Sequence, residues 1–95
     1  MNLDRTVTIS PDVISQEVAG ETVLLDLNSE HYFGLDEVGT RIWQLITEGG
    51  YLQTVFDTML SEYEVEAEQL EKDLDNLLEQ ASNQGLITIS PGSPS

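Results

Sequence analysis

The apolar residues of this chain change period at Asp36, and that change fixes the order in which its secondary structure must be built. Ahead of Asp36 they fall in short runs broken by turn residues; behind it they recur at helical spacing. Thr6-Val7-Thr8-Ile9 alternates and is stopped by Pro11. Residues 13–18 form a second, more polar run, which Ala19-Gly20 ends, because glycine tolerates positive φ at little steric cost. Residues 21–27 (ETVLLDL) have the strongest strand character in the chain, rich in side chains that suit a half-buried pleated surface. Asn28-Ser29-Glu30 is turn chemistry, and residues 31–35 (HYFGL) return as another strand. The pattern predicts an antiparallel meander of about three strands.

From Asp36 onward three helices are expected. Asp36 is a suitable N-cap, its carboxylate accepting from the free amides of the first turn. Val38, Ile42, Leu45 and Ile46 follow at helical spacing until Gly49-Gly50. Leu52, Val55, Phe56, Met59, Leu60 and Tyr63 make a second stripe, and Glu64-Val65-Glu66 connects it to a third. That third and longest stripe is Ala67, Leu70, Leu74, Leu77, Leu78 and Ala81, closed by Gly85. Residues 86–89 suit a last short strand, and the polar, proline-bearing residues 90–95 are expected to be a disordered tail. The fold class is therefore α+β, with residues 1–89 as a single domain.

Charge excludes whole classes of partner. Eighteen acidic residues face only Arg5, Arg41 and Lys72, for a formal net charge of −15. Nucleic-acid binding relies on lysine and arginine neutralising phosphates, and three scattered cations build no such patch. An anionic membrane surface is excluded on the same count. The chain has no cysteine, so disulfides, thiolate nucleophiles and zinc–sulfur sites are absent. Its N-terminus carries no secretory signal pattern, and no run approaches the ~20 apolar residues of a membrane span; a cytoplasmic location is the default expectation.

Catalysis finds few candidates. His31 is the sole histidine, with no second histidine or cysteine to complete a nucleophile–base pair or a transition-metal site, and no GxSxG accompanies it. Beside a turn on a strand it reads as a surface or edge side chain. Asp26, Glu30, Asp36 and Glu37 are close in sequence but follow no EF-hand spacing. The acidic residues between the apolar positions of the third helix are the ordinary solvated face of an amphipathic helix. No phosphate-binding glycine motif occurs. Trp43, one residue off the first helical stripe, reads as core. No enzyme activity, metal or cofactor is expected.

The strand at 31–35 is the point of interest. Phe33 and Leu35 share one face and Tyr32 and Gly34 the other. If the first pair faces the helices, Tyr32 points outward beside a sheet edge. An edge strand exposes unpaired amides and carbonyls, and this one contains neither lysine nor proline to blunt it. An extended peptide could add there as a further strand.

The run GETVLLDLNSEHYFGLDEVGTRIWQLI, residues 20–46, resembles the PqqD family, most specifically in YFGLDEVGTRIW at 32–43. Pro11-Asp12-Val13, Glu62-Tyr63-x-Val65, Asp73-x-x-x-Leu77 and Gly85-Leu86-Ile87 follow the same pattern in the same order, so the resemblance spans residues 9–89. Asn28-Ser29-Glu30 stands where the family usually has a turn glycine. The resemblance implies a three-stranded antiparallel sheet followed by three helices in a winged helix-turn-helix-like arrangement. It implies a non-catalytic role: members bind the leader of a ribosomally made precursor peptide as an added strand, between the third strand and the third helix. They then deliver it to a modifying enzyme, such as a radical SAM protein in PQQ synthesis, or, in lasso-peptide pathways, to a leader-cleaving protease. Carried onto this chain, the peptide-binding residues are His31, Tyr32, Phe33 and Gly34 on the strand and Leu70, Asp73, Leu74 and Leu77 on the helix. The competing readings are a structural or regulatory subunit of a larger enzyme and a winged-helix DNA-binding protein, the latter opposed by the charge.

Overall fold

The computed structural model describes residues 2–93. Four strands come first: β1 (Arg5–Ile9), β2 (Val13–Val18), β3 (Glu21–Asp26) and β4 (Tyr32–Leu35). Helices α1 (Glu37–Thr47), α2 (Leu52–Glu62) and α3 (Ala67–Asn83) follow, and β5 (Ile87–Pro91) closes the chain. The fold is thus α+β, with a three-stranded antiparallel sheet, β2-β3-β4, followed by three helices.

The first strand does not join the meander. β1 pairs antiparallel with β5 in a separate two-stranded sheet, Arg5 opposite Pro91 and Ile9 opposite Ile87. The tail expected to be disordered from residue 90 is therefore ordered in part. Ser90 and Pro91 belong to β5, and the Gly92 amide donates to the Asp4 carbonyl at 2.9 Å. Proline, lacking an amide, is tolerated at a strand end. Pro94 and Ser95 lie outside the described residues.

Each turn has a local cause. Ala19 and Gly20 both take positive φ, 54° and 84°, as a two-residue type I′ hairpin requires. In the β3–β4 turn Glu30 adopts φ 61°, a conformation glycine would take at no steric cost. The buried Asp26 carboxylate holds that turn by accepting from the Asn28 amide at 3.0 Å and the Ser29 hydroxyl at 2.9 Å. Gly50 (φ 76°) is required by close approach: a Cβ there would collide with the Val7 carbonyl oxygen, and Val7 N–H donates to the Gly50 carbonyl at 2.9 Å.

The core lies between the inner face of the meander and the helices. Leu24 and Leu35 from the sheet meet Ile42, Trp43 and Ile46 of α1, Leu52, Val55 and Met59 of α2, and Leu70, Leu74 and Leu78 of α3. Trp43 is buried, as its place beside the stripe suggests. Among the described residues no helix is long and apolar enough to cross a membrane.

Candidate functional site

Strand β4 is one edge of the three-stranded sheet. Its inward side chains are Phe33, half-buried against the core, and Leu35, fully buried; Tyr32 is 71% exposed. The Asp26 amide donates to the His31 carbonyl at 3.0 Å, and Phe33 lies opposite Leu24. Because the residues of an antiparallel strand turn their backbone groups alternately to either side, His31, Phe33 and Leu35 face β3. Tyr32 and Gly34 therefore present their amides and carbonyls to the open side of the sheet.

That open side borders a cleft of about 440 Å³, within the range of ligand sites. Phe33, Gly34 and Leu35 form one wall and Asp73, Asn76, Leu77 and Gln80 the other. The start of α1 makes the floor through Val38, Gly39 and Ile42. Asp36 caps that helix as its sequence position requires, one carboxylate oxygen accepting from the Gly39 amide at 2.8 Å. Gly39 brings the helix close to β4, since a Cβ there would sit 3.2 Å from the Asp36 carboxylate and 3.4 Å from Leu35.

The wall on α3 follows from helical arithmetic. Asp73, Asn76, Leu77 and Gln80 recur at i, i+3, i+4 and i+7 and so share one face. Leu70, Leu74, Leu78 and Ala81 occupy the adjacent face and are 1–2% exposed. The cleft thus combines apolar side chains with two carboxylates and two amides. Asp73 already accepts from Gln69 at 2.9 Å, which fixes its side chain along the helix.

The eight residues singled out from the sequence fall into three groups. Phe33, Gly34, Asp73 and Leu77 line the cleft together. His31 and Tyr32 sit on the exposed edge beside it. Leu70 and Leu74 are buried in the core and do not line the cleft, because the core takes the central row of α3. Asn76 and Gln80 were missed, although their spacing from Asp73 and Leu77 would have found them once that face was chosen. Asp26, grouped above with Glu30, Asp36 and Glu37, is committed to its turn. Among the described residues no three histidine or acidic side chains are grouped so that they could hold a metal ion.

A second cleft, about 420 Å³, lies between α1 and α2 and is lined by Arg41, Leu45, Tyr51 and Val55 among others. Size does not separate the two, but only the first adjoins an open strand. Beside the second, Arg41 makes a bidentate pair with Glu62, at 2.8 and 2.7 Å. That hydrogen bonding raises the arginine pKa and lowers that of the carboxylate.

Residues 21–87 match the family described as coenzyme PQQ synthesis protein D (PqqD). Two solved structures are similar to this chain. One is described as TbiB1 in complex with the TbiA(beta) leader peptide; it is 40% identical with a TM-score of 0.78, covering 83% of this chain and 92% of that one. The other is a lasso peptide synthetase B1 complexed with the leader peptide, 26% identical with a TM-score of 0.77, covering 87% of this chain and 98% of that one. No curated protein matches. With the sheet-then-helices order, the open β4 edge and a sequence match running from β3 into β5, this chain belongs to the PqqD family.

Proposed function

We propose that this protein binds the leader segment of a ribosomally made precursor peptide without catalysing any reaction itself. The observation that carries the reading is the juxtaposition of a strand edge that is unpaired among the described residues with a cleft walled by that strand and α3. A leader added to β4 would satisfy the backbone groups of Tyr32 and Gly34. Alternate leader side chains would enter the cleft between Phe33 and Leu77, and the others would lie beside Tyr32. Apolar anchors suit Phe33, Val38 and Leu77, and a basic leader residue suits Asp73. The two solved relatives, both described as complexes with a leader peptide, support the same reading.

Binding serves delivery. A leader held here brings the attached core peptide to a modifying enzyme or a leader-cleaving protease at a raised effective concentration. The −15 charge opposes nucleic acid as an alternative ligand.

The test is fluorescence anisotropy of the labelled leader from the precursor encoded beside this chain. Saturable one-to-one binding is expected, with no retention of the protein on heparin at low salt. A flat titration with folded protein would contradict the reading.

A further inference from the structure

The outer face of the three-stranded sheet is apolar where solvent should meet polar side chains. Leu24, Thr22 and Asp26 point into the core, so Glu21, Val23 and Leu25 point away from it, and their cross-strand partners share that outer face. Ile14, Leu25 and Tyr32 form one row across all three strands. Val23 lies in the next row between Gln16 and Gly34, and Val18 lies opposite Glu21. Ile14 is 52% exposed, Val18 62%, Val23 44% and Tyr32 71%. An antiparallel sheet with one solvated face normally carries polar residues there, and a contiguous apolar patch marks a docking surface.

Two observations identify the occupant. The first is continuity with the leader edge, on which this inference rests: a strand added to β4 extends this same sheet and puts every second leader side chain on this outer face, next to Tyr32 and Gly34. Gly34 leaves open space there, since a Cβ would meet nothing within 4 Å. The second is charge. Of the acidic residues in 12–36, Asp26 is buried, Asp36 caps α1 and Glu17 bonds to Gln44 on the helix side. That leaves Glu21 as the charged residue on the outer face of the strands, with Asp12 and Glu30 in the adjoining segments and not one lysine or arginine in the whole stretch. A second copy of this chain would bring Glu21 and a second net charge of −15 against this face, with no cation on the face to offset them, which like-charge repulsion opposes.

We infer that the outer face of β2-β3-β4 is the docking surface for the leader-processing enzyme, which meets it with an apolar patch rimmed by lysine and arginine. The enzyme contacts Ile14, Val18 and Val23 together with the leader side chains beside Tyr32, so the complete surface exists only when the leader is bound. Loaded protein is thereby distinguished from empty protein.

The experiment uses the purified modifying enzyme or leader protease encoded beside this chain, immobilised for biolayer interferometry, with and without saturating leader. The variants are Ile14→Thr/Val18→Thr, which keeps β-branched side chains at both exposed positions, and Ile14→Lys, which opposes a basic rim. Circular dichroism checks their fold, and leader anisotropy is measured on each. The expected result is leader affinity within about twofold of the parent and enzyme affinity reduced at least about tenfold in both variants. Omitting the leader should weaken the parent protein's binding several-fold. Intact leader binding with unchanged enzyme affinity in both variants would overturn this inference and leave leader binding standing. Failure of the parent protein to bind leader would remove the functional reading first, and this inference with it. A parent protein that sediments as a dimer, and that Ile14→Lys dissociates, would assign the face to a second copy and overturn the inference.

Discussion

The sheet has two edges, and they differ in what lies beside them. Both edge strands lack lysine and proline: β2 reads Val-Ile-Ser-Gln-Glu-Val and β4 reads Tyr-Phe-Gly-Leu. Both present free backbone groups, Tyr32 and Gly34 on β4 and, by the phase of the Leu27-to-Asp12 hydrogen bond, Ser15 and Glu17 on β2. Beside β4 stand a cleft and the Asp73–Gln80 face of α3. Beside β2 the Val13 amide turns back to the Ser10 carbonyl, and the Glu17 carboxylate accepts from Gln44 of α1 at 3.0 Å. Open hydrogen-bonding groups are common to the two edges, so they cannot define the site by themselves. A cleft wall on α3 is what distinguishes β4.

The largest effect separates the cleft wall from the core behind it. Leu74→Ala should destabilise the fold by about 2–5 kcal/mol, as deletion of a buried leucine does. Leu77→Ala, one turn-face away and half-buried, should mainly weaken leader binding; thermal melts and anisotropy on both variants check this. If Leu77→Ala costs as much stability as Leu74→Ala, the face assignment fails.

Proline scanning then compares the edges directly. Tyr32→Pro removes an open-side amide and crowds the incoming strand, and should weaken leader binding by roughly ten- to a hundredfold while the β3 pairing survives. Ser15→Pro removes the equivalent amide of β2 and should leave affinity unchanged. Equal losses would erase the distinction between the edges. A smaller effect, about two- to fivefold, is expected for Asp73→Asn, together with a shallower salt dependence, if a basic leader residue faces that carboxylate.

The turns next to the edges give the smallest effects. Ala19 occupies a left-handed position that asparagine tolerates better, so Ala19→Asn should stabilise the fold by about 0.5–1 kcal/mol without changing leader affinity. Chemical denaturation measures the gain. A change in affinity would mean that the β2–β3 hairpin is coupled to the site.

Much of this was legible from the chain alone because its causes are local. The switch of period at Asp36, the cap it forms, the Ala19-Gly20 hairpin and the outward Tyr32 each depend on residues close in sequence. The pairing of β1 with β5 was not, because it joins segments at opposite ends of the chain and neither run names its partner. The same pairing gives Ser90 and Pro91 an ordered place that their composition does not suggest. On α3 the apolar stripe was visible, but its division between core and cleft was not. Leucine is found at Leu70, Leu74 and Leu77 alike, and only the position of the sheet decides which of them is buried.

The central claim is that the leader lies along β4 against α3, and amide NMR of isotopically labelled protein titrated with leader tests it most directly. The account predicts saturable shifts concentrated at residues 31–35 and at Asp73, Asn76, Leu77 and Gln80, with residues 13–18 of β2 nearly still. Saturable shifts centred on β2, or on the cleft between α1 and α2, would contradict it.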